Sequence, residues 1–528
     1  MKDNTSPVPA LLLVTLVGCA IEPTIEPALR CGPGTHEADG QCLSDDEADT
    51  DADSATDTGG DTGGDADTGG DTGIDTGTDT GTDTATGQDW SFVPSTEPGV
   101  IGWSMFPDFT LPEGLIAVWS GPQLSGEELS PLSHGWTHLD LGWNPVEIWS
   151  TVDPSQRAII WTGIGAGSYQ PWGASYSPWG NDTDYLESWW AAYMRAYAYY
   201  EGGAYGDLPN VDIVCQDIET YAWSDDIILG LRTDANTPEE YLSLDDDAFI
   251  DRYKRDMAEL YTTPARWVHE QGLTSTYTSY LDTPVDRTWW DITTRTWEDW
   301  QTNPEVLSWH MGDFASESDD WTQALGPFLD DLDVTAPSAY YFYDYEDDFS
   351  NSWYAGDWLA YLLFQLEVNR AWSDKGQIVF TWNEYHPGSS WPGVSIRPWM
   401  AQGTMLFAFI DGAQGVWTYS EEPLGGDPAQ DYTPYEYAAY GLWQISTEAE
   451  FFGDEAEIVS GVDPVTAMDQ DLPIWRGRRL GDRLLVVAQD PYAMPGVTGE
   501  VQVEVGGDAF GTVALDGPYP TIVELSLP

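Results

Sequence analysis

Two neighbouring carboxylates, Asp217 and Glu219, offer the clearest chemistry in the sequence. They end an apolar run, residues 211–219, that predicts a β-strand. Side chains two positions apart on a strand point to the same face, so both acids would lie side by side at its carboxyl end. Two acids so close cannot both ionise easily, which leaves one protonated near neutral pH. A proton donor beside a charged partner suits cleavage of a glycosidic bond, whereas a solvated acidic loop is the structural alternative.

A third carboxylate, Glu384, ends a predicted strand of its own at residues 378–384. A retaining glycosidase uses two carboxylates about 5 to 5.5 Å apart. Glu219 as the acid and Glu384 as the nucleophile could meet this requirement across the mouth of a barrel. A substrate-binding carboxylate is the alternative interpretation of Glu384.

The histidines do not predict a metal site. His134 and His138 have a spacing that would suit ligands on a helix, but they flank a predicted strand and no cysteine lies near them. We expect these histidines to form hydrogen bonds, and we predict no metal and no other cofactor.

Composition narrows the possible partners. The 528 residues carry a formal net charge of −72, which repels phosphate backbones and argues against nucleic-acid binding. The chain also contains 28 Trp and 28 Tyr, more than packing requires. Flat aromatic faces stack on sugar rings, so a polysaccharide or oligosaccharide is the expected substrate.

The elements that must position the acids alternate between short β-rich runs and longer helical patterns. This alternation predicts an α/β fold, a (β/α)8 (TIM-like) barrel at residues 90–445, whose chemistry gathers at strand ends. The predicted strands are 100–105, 136–143, 158–165, 211–219, 273–280, 334–343, 378–384 and 415–419, with 306–310 as a ninth candidate. The predicted helices are 185–200, 247–270, 357–371 and 398–409.

Aromatic side chains accumulate at the ends of these predicted strands, beside the acids. Several aromatic groups in such places predict a pocket that binds sugars. The residues predicted to bind substrate are Trp143, Tyr341, Asp344, Trp382, Tyr385, Trp417 and Tyr419.

After the barrel, residues 446–528 show alternating apolar runs separated by turn residues. The runs are 473–478, 483–489, 497–505, 511–515 and 521–527. Such a pattern predicts a small antiparallel β-sandwich.

The first 43 residues are typical of an exported protein. Residues 1–19 contain an apolar run that ends at Cys19, and they resemble a bacterial lipoprotein signal in which that cysteine carries lipid. By the sorting habit of such lipoproteins, Ala20 favours the outer membrane, with the protein facing the surface or the periplasm. Within residues 20–43, Cys31 and Cys42 are predicted to form a disulfide, which an exported compartment allows.

A low-complexity segment, residues 44–89, follows, consisting of Asp, Thr, Gly and Ala with almost no apolar residues. It cannot bury enough surface to fold, so we predict a disordered tether with a relaxed span of about 35 to 40 Å. Its acids lack the spacing of a calcium-binding loop.

The motifs of the barrel appear in an order that resembles the chitinase and hyaluronidase families, over about 320 residues. The Thr137-His138 pair and residues 159–165 are similar to the second and third strands of chitinases. Residues 212–219 resemble their acidic D-x-x-D-x-D-x-E fourth strand, and Tyr343-Asp344 their Tyr-Asp pair. Residues 412–417 resemble the last strand of hyaluronidases.

The resemblance implies hydrolysis of a β-linked N-acetylhexosamine polymer assisted by the substrate's own acetamido group. Glu219 would protonate the leaving oxygen, Asp217 and Tyr343 would hold the acetamido group, and Trp417 would form the pocket floor. One departure is Cys215, which occupies the position of an acid that relays the proton in chitinases. This favours the shorter hyaluronidase-like pair, or a barrel that binds glycan without cleaving it.

Overall fold

A computed structural model gives the architecture. It describes residues 35–38, 41–44, 90–95, 97–122, 124–141, 148, 150–161, 178–179, 187, 210–217, 224–273, 275–313, 322–345, 355–385, 393–420 and 427–526.

The strands fall into parallel and antiparallel groups. In chain order they are β1 (Thr35–Ala38), β2 (Gln41–Ser44), β3 (Ile116–Ser120), β4 (His138–Asp140), β5 (Arg157–Trp161), β6 (Ile213–Gln216), β7 (Thr276–Ser279), β8 (Gly312–Asp313), β9 (Thr322–Leu325), β10 (Ile378–Trp382), β11 (Gly415–Tyr419), β12 (Glu457–Ser460), β13 (Ile474–Leu480), β14 (Arg483–Gln489), β15 (Thr498–Val505), β16 (Asp508–Asp516) and β17 (Thr521–Ser526).

The α-helices confirm the predicted alternation. They are α1 (Ser130–Ser133), α2 (Asp225–Gly230), α3 (Glu239–Leu242), α4 (Asp246–Glu270), α5 (Trp297–Thr302), α6 (Pro327–Asp331), α7 (Asp357–Trp372), α8 (Pro398–Ile410), α9 (Thr433–Thr447) and α10 (Pro464–Gln470). Asp245 caps α4 by accepting a hydrogen bond of 3.0 Å from the Ala248 backbone. Most of the helix predicted at 185–200 lies outside the described residues.

Residues 19–91 form a unit separate from the one that contains residues 92–528. In it, β1 and β2 pair as an antiparallel hairpin. Cys42 and Ser44, the first residue of the predicted linker, belong to β2. Cys19, Cys31 and residues 45–89 lie outside the described residues, so the lipid anchor, the disulfide and the tether stay predictions.

Seven strands of the larger unit form one parallel sheet in the order β10, β11, β3, β4, β5, β6, β7. Its two edges are joined by an extended segment, residues 335–338. Ala336 bridges to Tyr280 after β7, and Ser338 bridges to Phe380 of β10. The eight parallel segments therefore form a ring, and the sixth member joins through single bridges instead of a continuous ladder.

The first predicted strand is wrong. Residues 103–105 form a short 3-10 helix in which Trp103 packs against Trp119 and Trp136. The first barrel strand is instead β3, a run of five residues that the sequence pattern did not single out. The ninth candidate is also wrong, because the 3-10 helices Pro304–Val306 and Trp309–Met311 occupy residues 306–310. Residues 211–217 therefore stay on the fourth strand.

The barrel interior is a packed apolar core. Alternate residues of each strand point into it, as the pleat requires. Its fully or largely buried members include Val118, Ile160, Ile213, Cys215, Ala336, Phe380 and Trp417. This register fixes which side chains emerge at the carboxyl ends of the strands, a region that we call the barrel mouth.

The antiparallel strand pairing predicted for the tail is confirmed. One sheet has the strand order β12, β13, β14, β17, and β15 pairs with β16 as a second. The two sheets share a core that includes Trp475, Val486, Val503 and Phe510. The sandwich contains one strand, β12, that the prediction lacked.

Charged side chains connect the sandwich to the barrel helices. Arg476 of β13 is fully buried, contacts Glu367 of α7 at 2.5 Å and lies 3.7 Å from Asp411. Arg370 reaches the same Asp411 at 3.2 Å. Burial raises the pKa of Glu367, and the adjacent Arg476 opposes this shift. Removal of one partner would leave a buried charge without a counter-charge. The free-energy cost of that change is much larger than the net stabilisation that the intact pair provides.

Within the described part of the chain, no helix combines the length and the apolar character needed to cross a bilayer.

Candidate active site

The strand β6 presents Asp217 toward the barrel mouth. Ile213 and Cys215 belong to the barrel core, and Asp217 continues the same alternation one residue beyond the strand. Burial raises the pKa of the Cys215 thiol, and the negative charges of Asp217 and Asp140 raise it further. The predicted partner Glu219 lies outside the described residues.

Asp140 is a mouth carboxylate that the sequence analysis missed. It ends β4 and is fully buried, and the hydroxyl of Ser120 at the end of β3 donates to its Oδ2 at 2.8 Å. The prediction missed Asp140 because it extended the strand to residue 143, whereas the observed strand ends at Asp140 itself.

Glu384 lies two residues beyond β10 and is 7% exposed. The hydroxyl of Ser420, which follows β11, donates to Glu384 Oε1. The Ser420 backbone N–H in turn donates to the carbonyl of Ser120 at 2.8 Å. A hydrogen-bonded path therefore leads from Glu384 through the two serines to Asp140, across four neighbouring strands of the ring.

Two aromatic layers close the barrel below these carboxylates. In the lower layer, Trp417 stacks on Phe380 with ring centroids 5.0 Å apart and an interplanar angle of 10°. In the upper layer, Trp382 stacks on Tyr340 at 4.5 Å and 2°, and Tyr419 lies 6.4 Å from Tyr340. We call Tyr340, Trp382 and Tyr419 the mouth aromatics.

The predicted substrate contacts separate into two groups. Trp382 and Tyr419 belong to the mouth aromatics, and Tyr340 joins them although it was not predicted. Trp417 is fully buried beneath them, so the upper layer separates it from the mouth. Trp143 lies outside the described residues.

Three of the residues predicted to bind substrate form packing contacts within the protein. Asp344 is fully buried and forms a two-pronged ion pair with Arg397, at 3.0 and 3.2 Å. The Tyr385 hydroxyl donates to the Tyr343 carbonyl at 2.9 Å, and its ring is fully buried. Tyr341 packs on Trp289 and is 2% exposed. The role of Asp344, Tyr385 and Tyr341 in substrate binding stays a prediction, and the contacts that the structure shows for them are packing contacts.

The ring of Tyr343 also packs away from the mouth aromatics. It contacts Trp289 at 5.8 Å and Tyr341 at 5.8 Å. In the resemblance to chitinases, this tyrosine would hydrogen-bond the acetamido group of the substrate.

Asp212, which resembles the first acid of the chitinase motif, lies at the opposite end of β6 from Asp217. Its Oδ2 is 3.0 Å from Nε2 of His138. This end of a parallel barrel contributes stability, whereas the carboxyl ends of the strands carry chemistry. The Asp212 carboxylate therefore has a structural contact here.

Asp282, beyond β7, is a further buried carboxylate that the prediction missed. The Ser279 hydroxyl donates to it, and His310 Nε2 lies 2.9 Å from its Oδ1. The preceding residue, Leu281, has a left-handed backbone with φ of 66°. Such a conformation is uncommon for leucine and often occurs near functional sites.

The histidines have hydrogen-bonding environments. His134 Nδ1 lies 2.6 Å from the Ser130 carbonyl, and His138 Nδ1 lies 2.7 Å from the Thr137 hydroxyl. Over the described ranges, no group of three or more His, Cys, Asp or Glu side chains is arranged to hold a metal ion.

Together these residues define a parallel α/β ring whose mouth carries carboxylates from the second, fourth and seventh strands above a floor of aromatic rings. Buried carboxylates can hold or transfer a proton, and aromatic faces can stack on an apolar or sugar surface.

Known proteins with solved structures resemble this chain weakly. A bee venom hyaluronidase in complex with a hyaluronic acid tetramer shares 11% identity with a TM-score of 0.36, covering 58% of this chain and 90% of its own. An Anoxybacillus α-amylase shares 9% with a TM-score of 0.37, covering 79% and 87%. A maltogenic α-amylase from Thermotoga neapolitana shares 10% with a TM-score of 0.39, covering 79% and 99%.

No protein-family model and no curated protein matches the chain. The strand pairing defines the fold, and the residues of the mouth are the basis for the function.

Proposed function

We propose that the protein is a glycoside hydrolase that cleaves a polysaccharide or oligosaccharide at the barrel mouth. The observation that carries the proposal is the hydrogen-bonded path from Glu384 to Asp140, at the same end of the barrel as Asp217 and the stacked rings of Trp382 and Tyr340. Acids that face a sugar-sized aromatic surface provide both groups that glycosidic cleavage needs.

In the mechanism that we favour, Glu384 attacks the anomeric carbon while Glu219 protonates the leaving oxygen. The glycosidic C–O bond breaks as the Glu384 ester bond forms. Water, deprotonated by Glu219, then hydrolyses the ester and restores both carboxyl groups. Two features support the role of Glu384, its place above Trp382 at the end of the seventh strand and its hydrogen bond from Ser420.

The test uses the full chain with Glu384→Gln, Glu384→Ala and Glu219→Gln, assayed on aryl glycosides and soluble polysaccharides. Each change should lower kcat by about 10²- to 10⁴-fold, the scale of one acid–base group. Sodium azide should restore turnover of the aryl glycoside to Glu384→Ala by forming a glycosyl azide. Full activity of Glu384→Gln would exclude the nucleophile assignment.

A second mechanism uses the acetamido group of the substrate as the nucleophile, oriented by Asp217. The inward register of Asp217 supports it, whereas the packing of Tyr343 and the depth of Trp417 favour the first mechanism. Under this alternative, Asp217→Asn abolishes turnover, Glu384→Gln keeps it, and only sugars with a 2-acetamido group are cleaved.

A third possibility is a surface protein that binds glycan without cleaving it. The buried apolar setting of Cys215, where an acid would relay the proton in chitinases, favours this reading. Retention of an oligosaccharide on the protein with no released product over a long incubation would select it.

We further propose that the chain works at the cell envelope, anchored through a lipid on Cys19 and separated from the membrane by the acidic segment 44–89. A relaxed coil of that length spans about 35 to 40 Å, which would let the barrel reach a polymer outside the membrane.

A further inference from the structure

An exposed indole, Trp290, is connected to the barrel mouth through a series of ring contacts. Trp382 of the mouth meets Phe342 with ring centroids 5.0 Å apart, and Phe342 stacks on Trp289 at 5.1 Å. Trp289 is buried and meets Trp290 at 4.4 Å. Trp290 itself is 59% exposed. A buried aromatic support therefore holds an indole face in solvent beside the mouth.

The chain topology places this indole on the mouth side of the barrel. The 3-10 helix Trp289–Thr294 follows β7, so it belongs to a connection that leaves the carboxyl end of the fifth strand. Among the large apolar side chains that are exposed in the described part, Trp290 is the one aromatic residue. Single exposed apolar residues are common, but a large ring with aromatic support can stack on the face of a sugar.

The charges around this surface select the kind of ligand. Every Arg and Lys side chain in the described part already contacts an acid or a backbone carbonyl. The two bases nearest Trp290 in sequence are among them, because Arg287 donates to backbone carbonyls and Arg295 pairs with Glu305. A uronate or sulfated sugar would therefore meet Arg and Lys side chains that already have partners, and the mouth carboxylates would repel it.

We infer that Trp290 is an outer binding platform for an uncharged polysaccharide, whose chain extends from the mouth aromatics across the indole. This inference rests on the proposed glycoside hydrolase function and narrows its substrate to neutral polymers. Binding at Trp290 stabilises polymeric substrates alone, because a single sugar unit held in the mouth does not reach the exposed indole.

The experiment measures binding separately from catalysis. The full chain and its variants migrate through native gels that contain one soluble polysaccharide each. The polymers form pairs with the same backbone and with uncharged or anionic substituents: hydroxyethyl cellulose with carboxymethyl cellulose, and glycol chitin with carboxymethyl chitin. The variants are Trp290→Ala, Trp290→Phe and, as a control at another exposed apolar residue, Leu242→Ala.

At least one uncharged polymer should retard the wild type, and its carboxymethyl partner should not. Trp290→Ala should weaken the retardation about tenfold, the scale of one lost aromatic contact, whereas Trp290→Phe and Leu242→Ala should stay close to wild type. In kinetic assays, Trp290→Ala should lower kcat/KM on the retarding polymer by the same factor and leave an aryl monoglycoside unaffected.

Several results would overturn the inference. They are equal retardation of wild type and Trp290→Ala, an equal loss in Leu242→Ala, stronger retardation by the carboxymethyl polymers, or no retardation by any uncharged polymer. Cleavage of a polymer at equal rates by wild type and Trp290→Ala would reject the platform and leave the hydrolase proposal intact. Specific retardation without any cleavage would support the platform and reject the hydrolase proposal.

Discussion

At the scale of single residues, the hydrogen bond from Ser420 to Glu384 makes a prediction about pH. A hydroxyl that donates to a carboxylate favours its charged form. If Glu384 is the nucleophile, Ser420→Ala should raise its pKa and lower kcat by about 10- to 100-fold, since a hydrogen bond to a charged group contributes about 1.5 to 3 kcal/mol. The acidic limb of the kcat/KM profile should move to higher pH.

Two matched variants check this assignment of Ser420. Ser420→Thr keeps the hydroxyl and should keep the wild-type pH profile. Ser446→Ala removes a half-buried hydroxyl that donates within its own helix, to the Trp443 carbonyl at 2.7 Å, and should not move the profile. A uniform drop in rate for Ser420→Ala, with an unchanged acidic limb, would mean that Ser420 acts on packing alone.

How far the sequence predicts such details depends on the side-chain pattern of each strand. In β6, apolar residues alternate cleanly enough that the inward direction of Asp217 follows from Ile213 and Cys215. Beyond residue 338 the chain contains consecutive aromatic residues, so no apolar–polar alternation distinguishes the two faces. The sequence therefore favoured Tyr341, although Tyr340 faces the mouth.

At the scale of elements, the first turn of α7 contains an acid in an unfavourable environment. Burial raises the pKa of Asp357 to about 7, even though the Tyr492 hydroxyl donates to it at 2.8 Å, and nearby Asp471 raises it further. A helix N-terminus favours a negative charge by about 0.3 to 1 kcal/mol. Burial costs more than that, so the protonated form predominates in the folded protein below about pH 7.

This shift fixes the sign of a pH effect on stability. Between about pH 4 and pH 7 the unfolded chain loses the Asp357 proton while the folded chain keeps it, so the free energy of unfolding falls as pH rises, by up to about 4 kcal/mol. Asp357→Asn keeps an acceptor for Tyr492 and removes this penalty. Its Tm should exceed that of wild type at pH 8 and approach it near pH 4.

Thermal unfolding of Asp357→Asn and of an exposed control, Asp508→Asn, measures the difference. The control should follow the wild-type Tm at both pH values. A lower Tm for Asp357→Asn at pH 8 would show that the folded protein uses the ionised carboxylate.

The boundaries of elements were predictable where caps and periodicity agree. The predicted helices 247–270, 357–371 and 398–409 match α4, α7 and α8 to within a residue at each end. The first strand failed because residues 100–105 have a β-rich composition but bend at Gly102, with φ of −77° and ψ of 55°. The true strand β3 has five residues, a run too short for periodicity to identify.

At the scale of the whole molecule, the barrel and the sandwich are connected through buried polar contacts as well as apolar ones. The Gln489 amide of β14 donates to the Trp399 carbonyl of α8, and the Tyr345 hydroxyl beside the mouth segment donates to the Pro491 carbonyl. These contacts, with the Arg476 network, explain why α7 and α8 are buried on nearly every face. Their hydrophobic sequences alone could not distinguish a second layer of sheet from another helix.

The last prediction concerns attachment of the protein to the membrane through its N-terminal region. If Cys19 carries lipid, the chain made in a bacterial host with an outer membrane should sediment with membranes and enter the detergent phase after Triton X-114 extraction. Each buried CH₂ of an acyl chain contributes about 0.8 kcal/mol to membrane affinity, so an anchor with several chains holds the protein firmly. Cys19→Ala should move the protein to the aqueous phase.

Deletion of residues 44–89 tests the role of the tether independently of the lipid anchor. The shortened chain keeps Cys19 and should stay in the detergent phase, while its cleavage of a polysaccharide too large to enter the envelope should fall on intact cells and recover after solubilisation. Such a loss would follow from the missing span of about 35 to 40 Å, since the barrel itself is unchanged. A wild-type protein that stays in the aqueous phase would show that the lipid anchor is wrong.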